Sequence, residues 1–386
     1  MTDKVCSICI YDEKILGINF NKNGICNYCL QIEGLLKEYE TGLPAGENIF
    51  NLILNEIKDI GKNKKYDCII GVSGGTDSSY LLHLAKKVWG LKPLAVHYDN
   101  TWNSAIATIN INKMLKQLDI DLFTHVVDNK EVDDIFKSFF LAGVPELEAS
   151  TDLAYAYLLR IVSKKFKIKY ILEGHSFVTE GISPLGLNYF DGKYIKEIHK
   201  KFGKIKLKTY PLLTLTKFLK SIIFDRVKFI RPFWYINYSK ESAQQFLKDK
   251  YNWKYYGGHH LENRMTAFYH QVYLPQKFNV DLRTLSLSAL TRSGIMKRDD
   301  AINELKKKRN IDNSLIKLFK KRLNLTDMEY TNVMNSKPNY WQSYPTYKKF
   351  FEFFGPVFYF FAKLNLLTMS FYLKYCKKNI TNDNNN

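Results

Sequence analysis

The sequence is poor in the features that would place it outside the cell or inside a bilayer. Its 386 residues hold only six cysteines, four of them crowded at the start as Cys6, Cys9, Cys26 and Cys29. That is no disulfide framework of a small secreted domain. The opening MTDKVCSICIYDEK lacks the basic-then-apolar layout of a secretory signal, so a reducing, cytoplasmic setting is expected. Long uncharged apolar runs are missing too. The most apolar segment, 350–376, is interrupted by Glu352, Lys363 and Lys374 and broken at Gly355-Pro356, whereas a spanning helix needs roughly 20 mostly uncharged residues. This tail is expected to dock on the protein's own body, a partner or a membrane surface being the other contacts open to it. The terminal TNDNNN reads as disordered. Acids are scarce: Lys+Arg 57 against Asp+Glu 38 gives +19, a surplus that draws nucleotides, acidic sugars, nucleic acid or acidic lipid without choosing among them.

What is present is organised in blocks. Residues 1–35 read as a cysteine knuckle and 36–62 as a helical connector. From 63 to 250 strands and helices alternate. Apolar runs at 66–72, 94–98, 122–127 and 169–172 are the strands; 78–89, 104–118, 131–141 and 151–165 are the helices. Repeated β–α units predict an α/β fold, a parallel sheet with helices on both faces. Its last part, 193–250, holds 15 Lys/Arg against four acids. Residues 251–325 are expected to form a helical substrate or partner region, with a helix starting near Lys297 because Asp299 and Asp300 suit a first turn. Residues 326–386 form an aromatic extension.

Two motifs carry chemistry. Cys6-x-x-Cys9 and Cys26-x-x-Cys29, sixteen residues apart, can close a tetrahedron of thiolates around one metal. Four sulfurs leave no open position, so the expected role is structural Zn2+ that stabilises a knuckle lacking a core of its own, an iron–sulfur cluster or free thiols being the other readings. The second motif, Ser73-Gly74-Gly75-Thr76-Asp77-Ser78, follows a strand and opens a helix. Its glycines let backbone approach an anion, and the helix-start amides point at it. Lysine is absent, so this is not the loop that grips a transferable γ-phosphate, and it is not G-x-G-x-x-G.

The loop resembles the pyrophosphate loop of the ATP-pyrophosphatase superfamily, whose fold is adenine nucleotide alpha hydrolase-like. The resemblance implies that Ser73, Gly74, Gly75, Thr76, Asp77 and Ser78 cradle ATP phosphates screened by Mg2+. It also implies that His97–Asp99 lies near adenosine, and that Gly174 and His175, after the fourth strand, belong to the site. Arg231-Pro232-Phe233 with Lys240-Glu241 resembles the superfamily's later strand–turn–helix segment, which implies catalytic roles for Asp77, Ser73, His175 and Lys240. Taken alone, Lys240 reads as a solvated surface charge and His175 as well as a buried structural histidine.

A knuckle before this loop, with the stretch from Tyr255 to Thr266 and then Tyr269-His270-Gln271, is similar to the N-acetyl sugar amidotransferases of bacterial surface-polysaccharide synthesis. The similarity runs from Cys6 to about Leu305. It implies conversion of the acetamido group of a nucleotide-linked sugar, commonly a uronic or nonulosonic acid, into an acetamidino group for lipopolysaccharide O-antigen or related glycans. His259, His260 and Arg264 would then meet the substrate's carboxylate or diphosphate; the plainer reading of that segment is a helix N-terminal turn among packed aromatics. The sequence shows no glutaminase, and the family is associated with a separate glutaminase and cyclase-like pair that supplies ammonia. The competing reading is tRNA thiolation, which the charge would suit. Only Cys68 and Cys376 remain outside the metal pattern as sulfur carriers, so no nucleic-acid partner is expected.

Overall fold

The computed structural model describes residues 4–15, 17–183, 189–258, 261–307 and 311–377. Its centre is a five-stranded sheet, β1 (Cys68–Gly71), β2 (Pro93–Asp99), β3 (Leu122–Val126), β4 (Tyr170–Leu172) and β5 (Lys228–Ile230), in the order β3-β2-β1-β4-β5. All four pairings are parallel; Ile70 sits opposite Ala95 on one side and Leu172 on the other. The four strands expected from sequence are present. β5 is additional as a defined strand, lying directly before Arg231-Pro232-Phe233.

Both faces of the sheet are buried. Ile69, Leu94, Val96, Ile171 and Phe229 enter one core, and Cys68, Ile70, Ala95, Leu172 and Ile230 the other. Alternation along β1 thus feeds two cores, which is why the strands read as continuous apolar runs rather than half-polar ones. The covering helices are α1 (Asn27–Tyr39), α2 (Pro44–Gly61), α3 (Thr76–His83), α4 (Ala105–Leu118), α5 (Asn129–Ala142), α6 (Ala149–Phe166), α7 (Phe177–Glu180), α8 (Gly192–Phe202), α9 (Leu215–Lys220) and α10 (Lys240–Tyr251). Ser104 caps α4 by accepting from the Ala107 N–H. The second cysteine pair opens α1, with Cys26 as its N-cap, so helix begins inside the expected knuckle.

The remainder is helical: α11 (Arg264–Phe268), α12 (Arg283–Arg292), α13 (Arg298–Lys306), α14 (Asn313–Arg322), α15 (Asp327–Asn335), α16 (Lys348–Phe353), α17 (Gly355–Lys363) and α18 (Met369–Phe371). Asp299 and Asp300 occupy the first turn of α13. The aromatic extension packs on the body, burying Phe351, Phe358, Leu367, Met369 and Tyr375 in the core that holds Ile70. No helix among the described residues is long and apolar enough to cross a membrane. The extension also leaves Phe353, Val357, Phe360 and Leu364 exposed.

Candidate active site and cysteine centre

The strand order places the topological switch between β1 and β4: the chain runs outward through β2 and β3, then returns to β4 beside β1. Ligands of open α/β sheets bind at that crevice, beyond the carboxyl ends of the strands. The Ser73–Ser78 turn follows β1 and Gly174-His175 follows β4, so both expected segments flank it. A cavity of about 760 Å³ opens there, lined among others by Ser73, Gly75, Asp77, Ser78, His97, Gly174 and His175.

The turn is held from several sides. Gly74 has φ +80°, and a Cβ there would lie 2.4 Å from the Ala107 carbonyl oxygen, so only glycine fits against α4. The Gly74 carbonyl accepts from Trp253 Nε1 at 3.1 Å and Asn110 Nδ2 at 3.3 Å. Ser73 Oγ accepts from the Gly75 N–H at 3.2 Å and donates to Glu262 Oε1 at 3.1 Å. Thr76 turns away from the cavity: its side chain is buried and its Oγ1 accepts from Gln244 Nε2 at 3.3 Å. Gly74 and Thr76 therefore shape the turn, while Ser73, Gly75, Asp77 and Ser78 face the space an anion would fill.

Asp77 and Lys240 meet in this site. Lys240 Nζ lies 2.9 Å from Asp77 Oδ2 and 3.0 Å from Glu180 Oε1, and the Tyr238 hydroxyl donates to Asp77 Oδ1. Lys240 is thus no solvated surface charge; it locks the first turn of α3 to α7 and α10. Burial pushes the Asp77 carboxyl upward, against which Lys240 and Tyr238 act. Desolvation opposes the Lys240 charge, yet Glu180 and Asp77 hold it above its ordinary value. Gly174 allows the close approach: a Cβ there would be 3.0 Å from the Asp77 carbonyl carbon.

The histidines have fixed tautomers. Trp234 Nε1, which can only donate, lies 3.2 Å from His175 Nδ1, so Nε2 carries the proton and donates to the Gly181 carbonyl at 3.1 Å. With both ring nitrogens engaged, His175 is a positioning residue rather than a proton carrier. His97 donates from Nδ1 to the Val72 carbonyl at 2.8 Å and accepts from Asn103 Nδ2 at 3.1 Å. Asp99 does not line the cavity; it ties the turn after β2 through the Thr101 N–H at 2.7 Å and Asn103 Nδ2 at 3.0 Å.

The segment after Tyr255 closes over the loop. Asn263 caps α11, Arg264 N–H donates to the Trp102 carbonyl at 2.8 Å, and Ser104 N–H donates to the Glu262 carbonyl at 2.8 Å. This pairing sets Glu262 over Ser73 and lets the Tyr256 hydroxyl accept from the Thr76 N–H at 3.4 Å. Arg264 points elsewhere. Its Nη2 reaches Ser314 Oγ at 3.0 Å and Asp312 Oδ2 at 3.4 Å, and it does not line the cavity. The helix-turn reading is what its position supports, not contact with a substrate's anion; His259 and His260 lie outside the described residues. Of the 15 basic residues at 193–250, Arg231 and Lys240 alone line the cavity. Sequence reasoning missed Glu180, Tyr238 and Tyr256, which no local spacing connects to the loop.

The four cysteines are buried, with all sulfurs within 4.8 Å of one another. Sγ–Sγ distances of 3.7 Å (Cys6–Cys29), 3.8 Å (Cys9–Cys26) and 3.5 Å (Cys26–Cys29) are far beyond a disulfide. They match the roughly 3.8 Å separation of thiolates that each sit about 2.3 Å from one tetrahedral Zn2+. Backbone N–H groups of Ile8, Tyr11, Cys26 and Cys29 donate to the sulfurs. Arg292 adds Nε to Cys29 at 3.3 Å and Nη2 to Cys9 at 3.7 Å, a cation suited to the net negative charge of a metal held by four thiolates. Arg298 Nε bonds the Cys6 and Cys9 carbonyls. The residues fit a closed structural metal site that also anchors α12 and α13.

Residues 262–357 match the model described as "LPS biosynthesis protein WbpG-like, C-terminal domain". An uncharacterized protein of Methanocaldococcus jannaschii is 30% identical over 171 residues, 44% of this chain and 58% of that protein's length. Similar solved structures include NMN synthetase from Francisella tularensis (12% identity, 72% of this chain and 93% of that one, TM-score 0.31). Others are NH3-dependent NAD synthetase from Campylobacter jejuni (14%, 76% and 97%, 0.34) and U34-tRNA thiolase NcsA from Methanococcus maripaludis (15%, 87% and 97%, 0.33). The segment similar to the WbpG-like C-terminal domain begins at Glu262, inside the stretch that closes over the Ser73–Ser78 turn, and it spans about a quarter of this chain.

Proposed function

We propose that the protein is an ATP-dependent amidotransferase that converts the acetamido group of a nucleotide-linked, acidic N-acetyl sugar into an acetamidino group during lipopolysaccharide synthesis. The observation that carries this reading is a lysine-free anion turn at the switch point, opening on a cavity of about 760 Å³ and covered by a WbpG-like segment. An amide carbon resists ammonia because its oxygen leaves poorly. In the proposed reaction the acetamido oxygen attacks the α-phosphorus of ATP and pyrophosphate departs. Ammonia then adds to the activated carbon, a proton is lost, and AMP leaves with the former amide oxygen. No protein nucleophile is required; positioning and charge stabilisation suffice.

The residues present suit those tasks. The Ser73 and Ser78 hydroxyls and the amides of the turn would hold the phosphates. Glu262, beside Ser73, would be a carboxylate able to help hold Mg2+, which would screen the phosphate charge. Lys240 fixes Asp77 and through it the start of α3. Ammonia would come from a separate glutaminase-type partner. The thiolation alternative is disfavoured by both remaining cysteines: burial pushes Cys68 well above its ordinary value and Cys376 up to about 12, and neither lines the cavity. Thiols held protonated are poor sulfur carriers.

A substrate carrying heavy oxygen in its acetamido group tests the activation step. The label should appear in AMP. Label retained in the sugar, or found in inorganic phosphate with ADP as the other product, would overturn the reading.

A further inference from the structure

Among the described residues, two of the four Lys and Arg side chains that line the cavity are neutralised. Lys240 is paired with Asp77 and Glu180, and Arg231 with Glu173 at 2.9 Å. Two are not. Arg160, on α6, is 6% exposed; its Nη2 donates to the Leu366 carbonyl at 3.1 Å, and Nη1 has no acceptor among the described residues. Lys374 belongs to the π-helical turn Tyr372–Cys376 of the C-terminal extension and lines the same cavity. Its ammonium lies over the rings of Phe190 at 5.2 Å and Tyr375 at 5.5 Å. Among the described residues no carboxylate lies within 4.0 Å of it.

The acids near Lys374 do not replace a partner. Asp152, on α6, and Glu146 favour its charge only from a distance. Asp191, also at the cavity, is engaged by the Tyr189 hydroxyl and by the N–H groups of Tyr194 and Tyr347. Desolvation consequently pulls the Lys374 ammonium down to about 8. A cation enclosed by aromatic walls is costly unless an anion joins it.

We propose that Lys374 is the specificity-determining residue for the substrate's acidic group, pairing with the sugar carboxylate while Arg160 adds positive potential behind it. The C-terminal extension is then a wall of the substrate pocket as well as a packing element. The same wall presents Thr368 and Ser370, the latter held by Arg231 Nη1 at 2.7 Å. The orientation of the acetamido group toward the Ser73–Ser78 turn rests on the amidotransfer reading; the preference for an acidic sugar is measurable without it.

Calorimetric titration of the full chain with UDP-N-acetylglucosaminuronic acid and with UDP-N-acetylglucosamine isolates the carboxylate, because the nucleotide and diphosphate are shared. The wild type should bind the acid about tenfold or more tightly than the neutral sugar, an effect in the range of a close charge pair. Lys374→Met should abolish that difference, Lys374→Arg should keep most of it, and ATP affinity should be unchanged in both. Circular dichroism and melting of the variants confirm folding, and Lys374→Gln serves if the Met variant aggregates. Equal wild-type affinity for the two sugars, or an undiminished preference in the Met and Gln variants, would overturn the proposal. Amidine formation is assayed separately, so absence of conversion with the binding preference intact would reject the amidotransfer reading and leave this subsite standing.

Discussion

Lys240→Met probes the charge cluster that fixes the start of α3. Lys240, Asp77 and Glu180 are 24%, 18% and 13% exposed, and both carboxylates lie within 3.0 Å of one ammonium. Methionine preserves most of the volume, so the loss is electrostatic: two carboxylates remain in a poorly hydrated place with no cation between them. Breaking a buried pair by removing one partner costs about 3–5 kcal/mol. Because the cluster keeps some contact with solvent, the lower end, about 3 kcal/mol, is expected near neutral pH. The sign of the pH dependence follows. Burial already raises Asp77, and without the ammonium its carboxyl rises further, so the variant's native state binds a proton that the unfolded chain releases. Its deficit should shrink as pH falls from about 8 toward about 5 and widen as pH rises. Adding Glu180→Gln should recover more than half of the deficit by removing the like-charge partner. Urea unfolding of the three proteins across that range is the assay. A Met variant as stable as the wild type, or a deficit that does not move with pH, would refute the reasoning.

Further outcomes are expected. Wild-type protein should carry one metal ion per chain by metal analysis, and Cys26→Ser should lose it and lower the melting temperature, because the centre also holds α12 and α13 through Arg292 and Arg298; unchanged melting in a metal-free protein would contradict this. Ser73→Ala should lower turnover by about a hundredfold without unfolding the protein, the scale of losing one aimed donor, as read by AMP release. Glu146 is held up to about 7 by burial despite donors from Tyr194 and Tyr189. Its raised folded value means stability is lost as pH rises from the unfolded value, near 4.5, through about 7. Glu146→Gln should flatten that window and stabilise the protein by up to about 3 kcal/mol above it, at about 1.4 kcal/mol per pH unit.

The parts legible in sequence are those whose signal is local. The cysteine pairs and the Gly74-Gly75 turn announce themselves by spacing, and four strands by apolar runs that two buried faces require. Strand β5 is three residues long, too short for periodicity, and only the resemblance around Arg231 pointed to its neighbourhood. Lys240 reads as a surface charge because its partners, Asp77 and Glu180, are distant in the chain and meet it only across the switch point. Arg264 misled for the opposite reason. It adjoins Glu262, which does reach the loop, but Asn263 starts a helix between them and turns the guanidinium toward Asp312. Lys374 was visible as a charge interrupting an apolar tail; that the tail walls the cavity depends on how it folds back.

The central claim is transfer of nitrogen to an acetamido carbon driven by cleavage of ATP to AMP. Purified protein, ATP, Mg2+, heavy-nitrogen ammonium and a UDP-linked N-acetylated uronic acid, followed by mass spectrometry, test it most directly. The product should have exchanged its amide oxygen for a labelled NH, in one-to-one ratio with AMP and pyrophosphate. A sugar unchanged in mass, or label incorporation accompanied by ADP instead of AMP, would contradict the account.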